Sequence, residues 1–243
     1  MSASRFFVSG AYEPGDLIAL DGADAHKIAN VLRLGNGDSI EVIDSCGILF
    51  DAAVLIGEKT VRARLLSVVE LGYATAALRV AVAQAIPKGS KMDFVVEKLT
   101  ELGVTAIQPF ESERSVVTGS SAAKLERWRR LAKAAAQQCG RRDVPFVHET
   151  VSFANLVTQF AGYDRVLFLW ELAERVPLRE SLPAALAGAS TVLAVIGPEG
   201  GFSHAEAQLA ASSGAHSISL GSRILRTETA GLALVSIVEY LSG

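Results

Sequence analysis

Two cysteines in 243 residues, Cys46 and Cys139, lie far apart and share no CxxC spacing, so neither a disulfide framework nor a thiolate zinc site can be built from them. The four histidines (His26, His148, His204, His216) have no metal-ligand spacing either, and no metal is expected. No stretch approaches the roughly 18 consecutive apolar residues of a membrane-spanning helix. The opening MSASRFFVSGAYEPG lacks the basic flank and apolar run of a secretory signal. These absences predict a cytoplasmic protein with no membrane attachment. An excess of positive charge is also missing: 23 Lys and Arg against 26 Asp and Glu leave a net charge of −3. That balance argues against a protein that coats nucleic acid indiscriminately, but it permits a local basic face.

Half of the residues are hydrophobic and 20% are charged, which is the composition of a globular chain with a sizeable core. The length allows one large domain, or a small one followed by a medium one. Charge is divided unevenly. Residues 1–75 carry six cations (Arg5, Lys27, Arg33, Lys59, Arg62, Arg64) against ten acids, a net of −4, and the remainder is close to balanced at +1. In this first part, Arg5–Val8, Leu17–Leu20, Ser39–Ile43, Ile48–Leu55 and Val61–Val69 are strand candidates between Gly and Asp turns, with one helix over about Ala23–Leu34. Small, strand-rich and turn-punctuated, it predicts a compact β-barrel over residues 1–72. Composition loosens near Leu71–Ala77, and strands and helices then alternate, as in a parallel α/β domain over residues 73–243.

The stretch around which this second part is organised runs from Val192 to Tyr240. Val192–Ile196 is a short β-branched run expected of a strand buried on both faces. It ends in Gly197-Pro198-Glu199-Gly200-Gly201, whose glycines let the backbone turn and approach a ligand closely. Ser203 and Glu206 then have the spacing of a capping box. The pattern repeats: a strand over Ser217–Leu220, then Gly221, then Ile224-Leu225-Arg226 and a helix beginning near Thr227. Two adjacent strand ends with glycine loops would form a ligand crevice at the carboxyl edge of a parallel sheet. The last helix is apolar almost all round from Leu232 to Leu241. It must be buried on more than one side, against a partner subunit or within its own domain.

Ala122–Cys139 is the clearest amphipathic helix, with Leu125, Trp128, Leu131, Ala132, Ala135 and Cys139 on one face. Arg127, Arg129, Arg130 and Lys133 lie opposite with only Glu126 among them, and Arg141-Arg142 follow. Such a strip is either a solvated face or a phosphate tracker.

The wording of the two loops, IGPEGGF at Ile196–Phe202 and LGSRILRTETA at Leu220–Ala230, closely resembles the cofactor-binding end of the SPOUT methyltransferases. Within that superfamily the chain is similar to the RsmE family, which methylates N3 of a uridine in bacterial 16S ribosomal RNA. AIPKGSKMDFVVEKLTELGVTAIQPFESERS, with Lys88, Lys91 and Arg114, matches the same family; residues 146–190 match it poorly. The resemblance implies a SPOUT-type parallel sheet with a C-terminal trefoil knot near residues 190–243, preceded by a PUA-like RNA-binding domain. It implies a homodimer acting on 16S rRNA within the small ribosomal subunit, with S-adenosyl-L-methionine as cofactor. Ile196, Gly197, Pro198, Gly200, Gly201, Leu220, Gly221, Ile224 and Leu225 would hold the cofactor. Arg5, His26, Arg33, Arg114, Arg130 and Arg141 would meet RNA. Where the family usually has Glu-Gln-Ser/Cys-Gly-Arg, this chain has Gln137-Gln138-Cys139-Gly140-Arg141, and Gln137 cannot ionise to serve as a base.

Uridine N3 must lose a proton before it can attack a methyl group, so a base or an anion-stabilising cation is needed. Arg226, in the second loop, is the candidate cation. Glu199 and Glu228 are candidate acceptors, although an acid in a helix's first turn, as Glu228 would be, is favourable there regardless. Two other classes remain open. A Rossmann-type oxidoreductase should carry its glycine fingerprint in the first βα turn, where this chain has Ile86-Pro87-Lys88-Gly89. A non-catalytic RNA-binding module would leave the paired loops unexplained.

Overall fold

A computed structural model describes residues 4–20, 22–58, 60–69, 78–115, 121–172 and 176–242. The chain divides into two compact units, Met1–Ala74 with Ala136–Asp143, and Thr75–Ala135 with Val144–Gly243. The boundary expected at residues 72/73 falls in 70–77, outside the described residues.

In the first unit, β1 (Arg5–Phe7), β2 (Leu17–Leu20), β3 (Ser39–Ile43), β4 (Leu49–Ile56) and β5 (Val61–Val68) form one mixed sheet in the order β1-β3-β4-β5-β2. Only the β1–β3 pairing is parallel. A register shift at Asp51/Ala52 bends β4, and the sheet curls around Phe6, Ile40, Val42, Phe50, Val54 and Leu65, all buried. Among the described residues no backbone ladder joins the edges β1 and β2, so the expected barrel is a curled sheet. Helix α1 (Gly22–His26) runs into a π-helical turn, Lys27–Val31, which drives Ile28 into the core. The helix expected to reach Leu34 therefore stops earlier. Arg33 follows at φ 56°, a left-handed conformation that glycine adopts at less cost.

The stretch 136–143 belongs to this unit through specific bonds. Arg5 pairs with Glu41 at 2.6 Å and donates to the carbonyls of Gly140 and Arg141, so a cation meets helix-terminal carbonyls. Gln137 is buried, donates to Asp24 Oδ1 at 3.0 Å and accepts from Lys27 Nζ at 3.3 Å. Only a neutral amide offers both a donor and an acceptor here; a glutamate would bring a second carboxylate against Asp24.

The second unit is a layered α/β structure. Its strands are β6 (Arg79–Ala85), β7 (Ala106–Glu111), β8 (Phe146–Val147), β9 (Val151–Ser152), β10 (Arg165–Leu169), β11 (Thr191–Ile196) and β12 (His216–Ile218). All pairings are parallel, in the order β12-β10-β11-β6-β7-β8, with β9 beside the end of β7. Helices α2 (Lys91–Glu101), α3 (Ala122–Cys139), α5 (Leu178–Leu186) and α7 (Thr227–Ser242) supply residues to the core on one face. Helices α4 (Phe153–Thr158) and α6 (His204–Ser212) supply them on the other. Strand β11 serves both, with Val192, Ala194 and Ile196 in the first core and Leu193 and Val195 in the second. This two-sided burial is why its sequence is a continuous apolar run.

The crevice expected from two adjacent strand ends is built differently. The strands that carry the two glycine loops are not neighbours, because β10 lies between β11 and β12. Hydrophobic runs encode which strands are buried but not their order. The strand β12 is also shorter than expected, ending at Ile218.

Candidate active site

The parallel register brings the carboxyl ends of three strands level: Leu169 pairs with Ile196 on one side and with Ile218 on the other. The segments that follow, Trp170–Leu172, Gly197–Ser203 and Ser219–Arg226, therefore open over one edge of the sheet. They enclose a cavity of about 580 Å³. All nine residues expected to hold the cofactor line it (Ile196, Gly197, Pro198, Gly200, Gly201, Leu220, Gly221, Ile224, Leu225), and so do Glu199 and Arg226. Leu169, Trp170, Glu171 and Leu172 line it too. They were not legible in the sequence, because the loop after β10 contains no glycine and looks like an ordinary strand end.

The first loop is tightly packed. A Cβ on Gly197 would stand 2.9 Å from the Phe202 ring, and one on Gly200 would stand 3.2 Å from Cβ of Arg114. Gly201, at φ 65°, could not carry a side chain without meeting the Glu171 carboxylate. Phe202 is 2% exposed, and its ring packs 4.2 Å from that of Phe168 and 5.6 Å from that of Phe153. At the other end of the loop the capping box is complete, with Ser203 Oγ accepting from Glu206 N and Glu206 accepting from Ser203 N. Glu206 is buried and also accepts from Ser112 Oγ and Glu113 N, which ties α6 to the end of β7.

A hydrogen-bonded relay joins the two glycine loops beneath the cavity. Gln84 Nε2 donates to Thr227 Oγ1 at 2.9 Å, and Thr227 Oγ1 donates to the Gly197 carbonyl at 2.6 Å. Gln84 is fully buried on the central strand β6, and Thr227 opens α7. The relay thus fixes the first loop to the start of the last helix.

Charge gathers at the mouth. Lys91 Nζ lies 3.1 Å from Glu199 and 3.3 Å from Glu228, and its pKa is raised by the hydrogen bond to Glu199 against some loss of hydration. Burial pushes the Glu199 carboxyl up. Hydrogen bonds from its own amide and that of Lys88, together with the Lys91 ammonium, outweigh burial and hold it below the usual glutamate range. A carboxylate held in this way is a weak proton acceptor. Arg226 is exposed, and no bond to its guanidinium is found among the described residues.

The residues expected to meet RNA fall into two kinds. His26 and Arg33 in the first unit, and Arg114 and Arg130 in the second, are exposed. Arg114 also donates to the Gly200 carbonyl at 3.1 Å. Arg5 and Arg141 have side chains only 11% and 12% exposed; the first serves Glu41 and two carbonyls, the second Asp143. Phe6 is fully buried in the core of the first unit. Both cysteines are exposed and free. No described helix is long and apolar enough to cross a membrane.

The cavity's size suits a drug-sized ligand. Its apolar walls and closely approaching backbone suit a neutral purine, and the Glu171 carboxylate in the lining offers a partner to a ligand carrying positive charge, Glu199 being engaged with Lys91. S-adenosylmethionine has both parts, so the residues present fit it.

Comparison with known proteins agrees. Residues 74–239 match the family model described as RNA methyltransferase domain, and residues 20–66 match the RNA methyltransferase PUA domain. Proteins named ribosomal RNA small subunit methyltransferase E are 32% identical in Bacillus subtilis (94% of this chain, 91% of that one) and 36% identical in Synechocystis (92% and 73%). The crystal structure of ribosomal RNA small subunit methyltransferase E from Neisseria gonorrhoeae bound to S-adenosyl methionine superimposes with a TM-score of 0.84 at 30% identity, covering 98% of each chain. A Legionella pneumophila structure in complex with the bound cofactor SAM gives 0.89 at 31% identity, covering 99% and 98%.

Proposed function

The chain belongs to the RNA methyltransferase family, and from that premise we propose that it methylates N3 of a uridine in 16S rRNA of the small ribosomal subunit, with S-adenosylmethionine as methyl donor. The observation that carries this reading is the cavity over the ends of β10, β11 and β12, apolar inside and overlooked by Arg226. The donor, when bound, supplies a methyl group already activated on a sulfonium. The protein's part is to orient the acceptor, exclude water and stabilise charge. Ile196, Leu220, Ile224 and Leu225 would wall the adenosyl group, and the relay Gln84–Thr227–Gly197 would keep the two loops at a fixed separation. Arg226 would stabilise the anion that forms as N3 loses its proton. Glu199 lines the cavity too, but the hydrogen bonds and the Lys91 ammonium that lower its pKa suit it better to anchoring Lys91 than to taking the proton.

Residues 1–72 are assigned to a PUA-like RNA-binding domain and 73–243 to the SPOUT domain, with the C-terminal segment near 190–243 threaded as a trefoil knot. The β12-β10-β11 order, in which the chain passes over β10 to reach β12, is compatible with that threading. The exposed His26, Arg33, Arg114 and Arg130 would meet RNA; Arg5 and Arg141, engaged with Glu41 and Asp143, would support His26 and Arg33 within the first unit. Arg33 keeps an arginine in a conformation that favours glycine, as expected if its charge is needed there. A cytoplasmic location follows from the substrate.

The decisive experiment is mass mapping of 16S rRNA from cells lacking the protein: one methyluridine should disappear and return on complementation. An unchanged map would sink the reading. Calorimetry separates the alternatives, with binding of S-adenosylmethionine expected and binding of NAD(H) not.

We also propose a homodimer through α7. Its Tyr240 is 84% exposed and Leu241 43%, while Leu234, Val235 and Val238 on the same helix are buried. An apolar patch left open on an otherwise packed helix marks a contact surface. Light scattering should give twice 25.6 kDa, and Tyr240→Glu should give the single mass. A monomeric wild type would refute the dimer.

A further inference from the structure

Strand β8 has two residues and forms the outer edge of the sheet in the second unit; among the described residues its ladder is made only to β7. Alternation turns Val147 into the core, where it is 1% exposed, and turns Phe146 and His148 outward together. Phe146 is 58% exposed, an unusual position for a phenyl ring beside a well-packed core. It is also organised. The His148 ring meets it edge-on at 4.5 Å and 66°, and the Arg129 guanidinium lies 5.9 Å from its centroid. Arg129 is held in place by donating to the Val147 carbonyl at 3.2 Å and by pairing with Glu126 at 2.9 Å. Burial, with the Arg129 cation beside it, keeps the His148 imidazole below its ordinary pKa and favours the uncharged ring.

Arg130 and Lys133 continue from Arg129 at i+1 and i+4 along α3, and Arg130 is exposed. Glu126 is engaged with Arg129, and Glu149, next to His148, is exposed. A phenyl ring left more than half exposed, with a guanidinium over it and further cations along the neighbouring helix, has the chemistry of single-stranded nucleic-acid recognition: base on ring, phosphate on cation. A second copy of this chain fits less well, because the same cations would face each other.

We infer that Phe146, His148 and Arg129 form a stacking platform for an unpaired base of the RNA substrate, on a surface separate from the methyl-donor cavity. The inference rests on the reading of the chain as an RNA methyltransferase. It adds a base-contacting site on β8 beside a helix whose charge alone could only follow phosphates.

The test is fluorescence anisotropy with a labelled 16S rRNA fragment containing the methylated uridine, using the full-length protein. Phe146→Ala and His148→Ala should each weaken binding by about five- to a hundredfold, the range for loss of one base–aromatic stack. The slope of affinity against salt should stay unchanged, since no phosphate contact is lost. Phe146→Trp should bind within about threefold of wild type, because the indole face also stacks. Arg130→Ala should instead lower the salt slope by about one. Unchanged S-adenosylmethionine affinity in Phe146→Ala certifies the fold. If wild type binds the fragment and Phe146→Ala binds equally well, the platform is refuted and the enzyme assignment stands. If wild type binds no RNA, both fall. A change in the light-scattering mass of Phe146→Ala without RNA would make this face a contact between copies and overturn the proposal.

Discussion

Alanine at position 197 is expected to weaken S-adenosylmethionine binding by tenfold or more and to lower the melting temperature by several degrees. The added methyl would stand 2.9 Å from Cε2 of Phe202, closer than real side chains come, and a tight 3.0 Å from Cδ2. Phe202 cannot give way, since it is buried among Phe110, Phe153 and Phe168, with its ring stacked 6.3 Å from that of Phe110. The loop must move instead, and its carbonyl then leaves Thr227 Oγ1, breaking the relay to Gln84. Overpacking of this kind costs about 1–3 kcal/mol. In a chain of this size each kcal/mol lowers the melting temperature by about 2–4 °C. Gly162→Ala is the control, because nothing lies within 4 Å of a Cβ there. Calorimetry and thermal melts of the two variants decide it; equal affinities would mean that the Gly197 loop does not shape the donor site.

Arg226→Ala is expected to slow single-turnover methylation by about 10²–10³-fold, the usual effect of deleting a charge stabiliser aimed at a developing anion. Donor affinity should change by less than about threefold, since the guanidinium is exposed at the mouth of the cavity. Arg226→Lys should recover part of the rate, because it restores charge without the planar fork. The alanine variant should also regain rate as pH rises, when more of the uridine loses its N3 proton unaided. An unchanged rate for Arg226→Ala, or loss confined to donor binding, would remove Arg226 from the chemistry.

Local patterns carried much of this structure. Helix α3 spans Ala122–Cys139 and strands β2 and β3 span Leu17–Leu20 and Ser39–Ile43, all as their periodicity predicts. The Ser203–Glu206 capping box forms with both of its bonds. Such features depend on contacts within a few residues, so the order of residue types is enough to specify them. The strands β8 and β9 were not legible. Each has two residues and exists because β7 offers it a ladder, so neither leaves a period to detect. Gln137 shows the same limit: its partners Asp24 and Lys27 are more than a hundred residues away.

The site divides along the same line. Which residues form glycine loops, and that both follow buried strands, was written in the order of amino acids, because turning and burial are local demands. That a third loop, Trp170–Leu172, joins them, that β10 separates the two glycine-bearing strands, and that Gln84 on β6 reaches Thr227 were decided by folding. Strand order and long-range hydrogen bonds come from the packing of distant segments, and no short-range pattern in the chain records them.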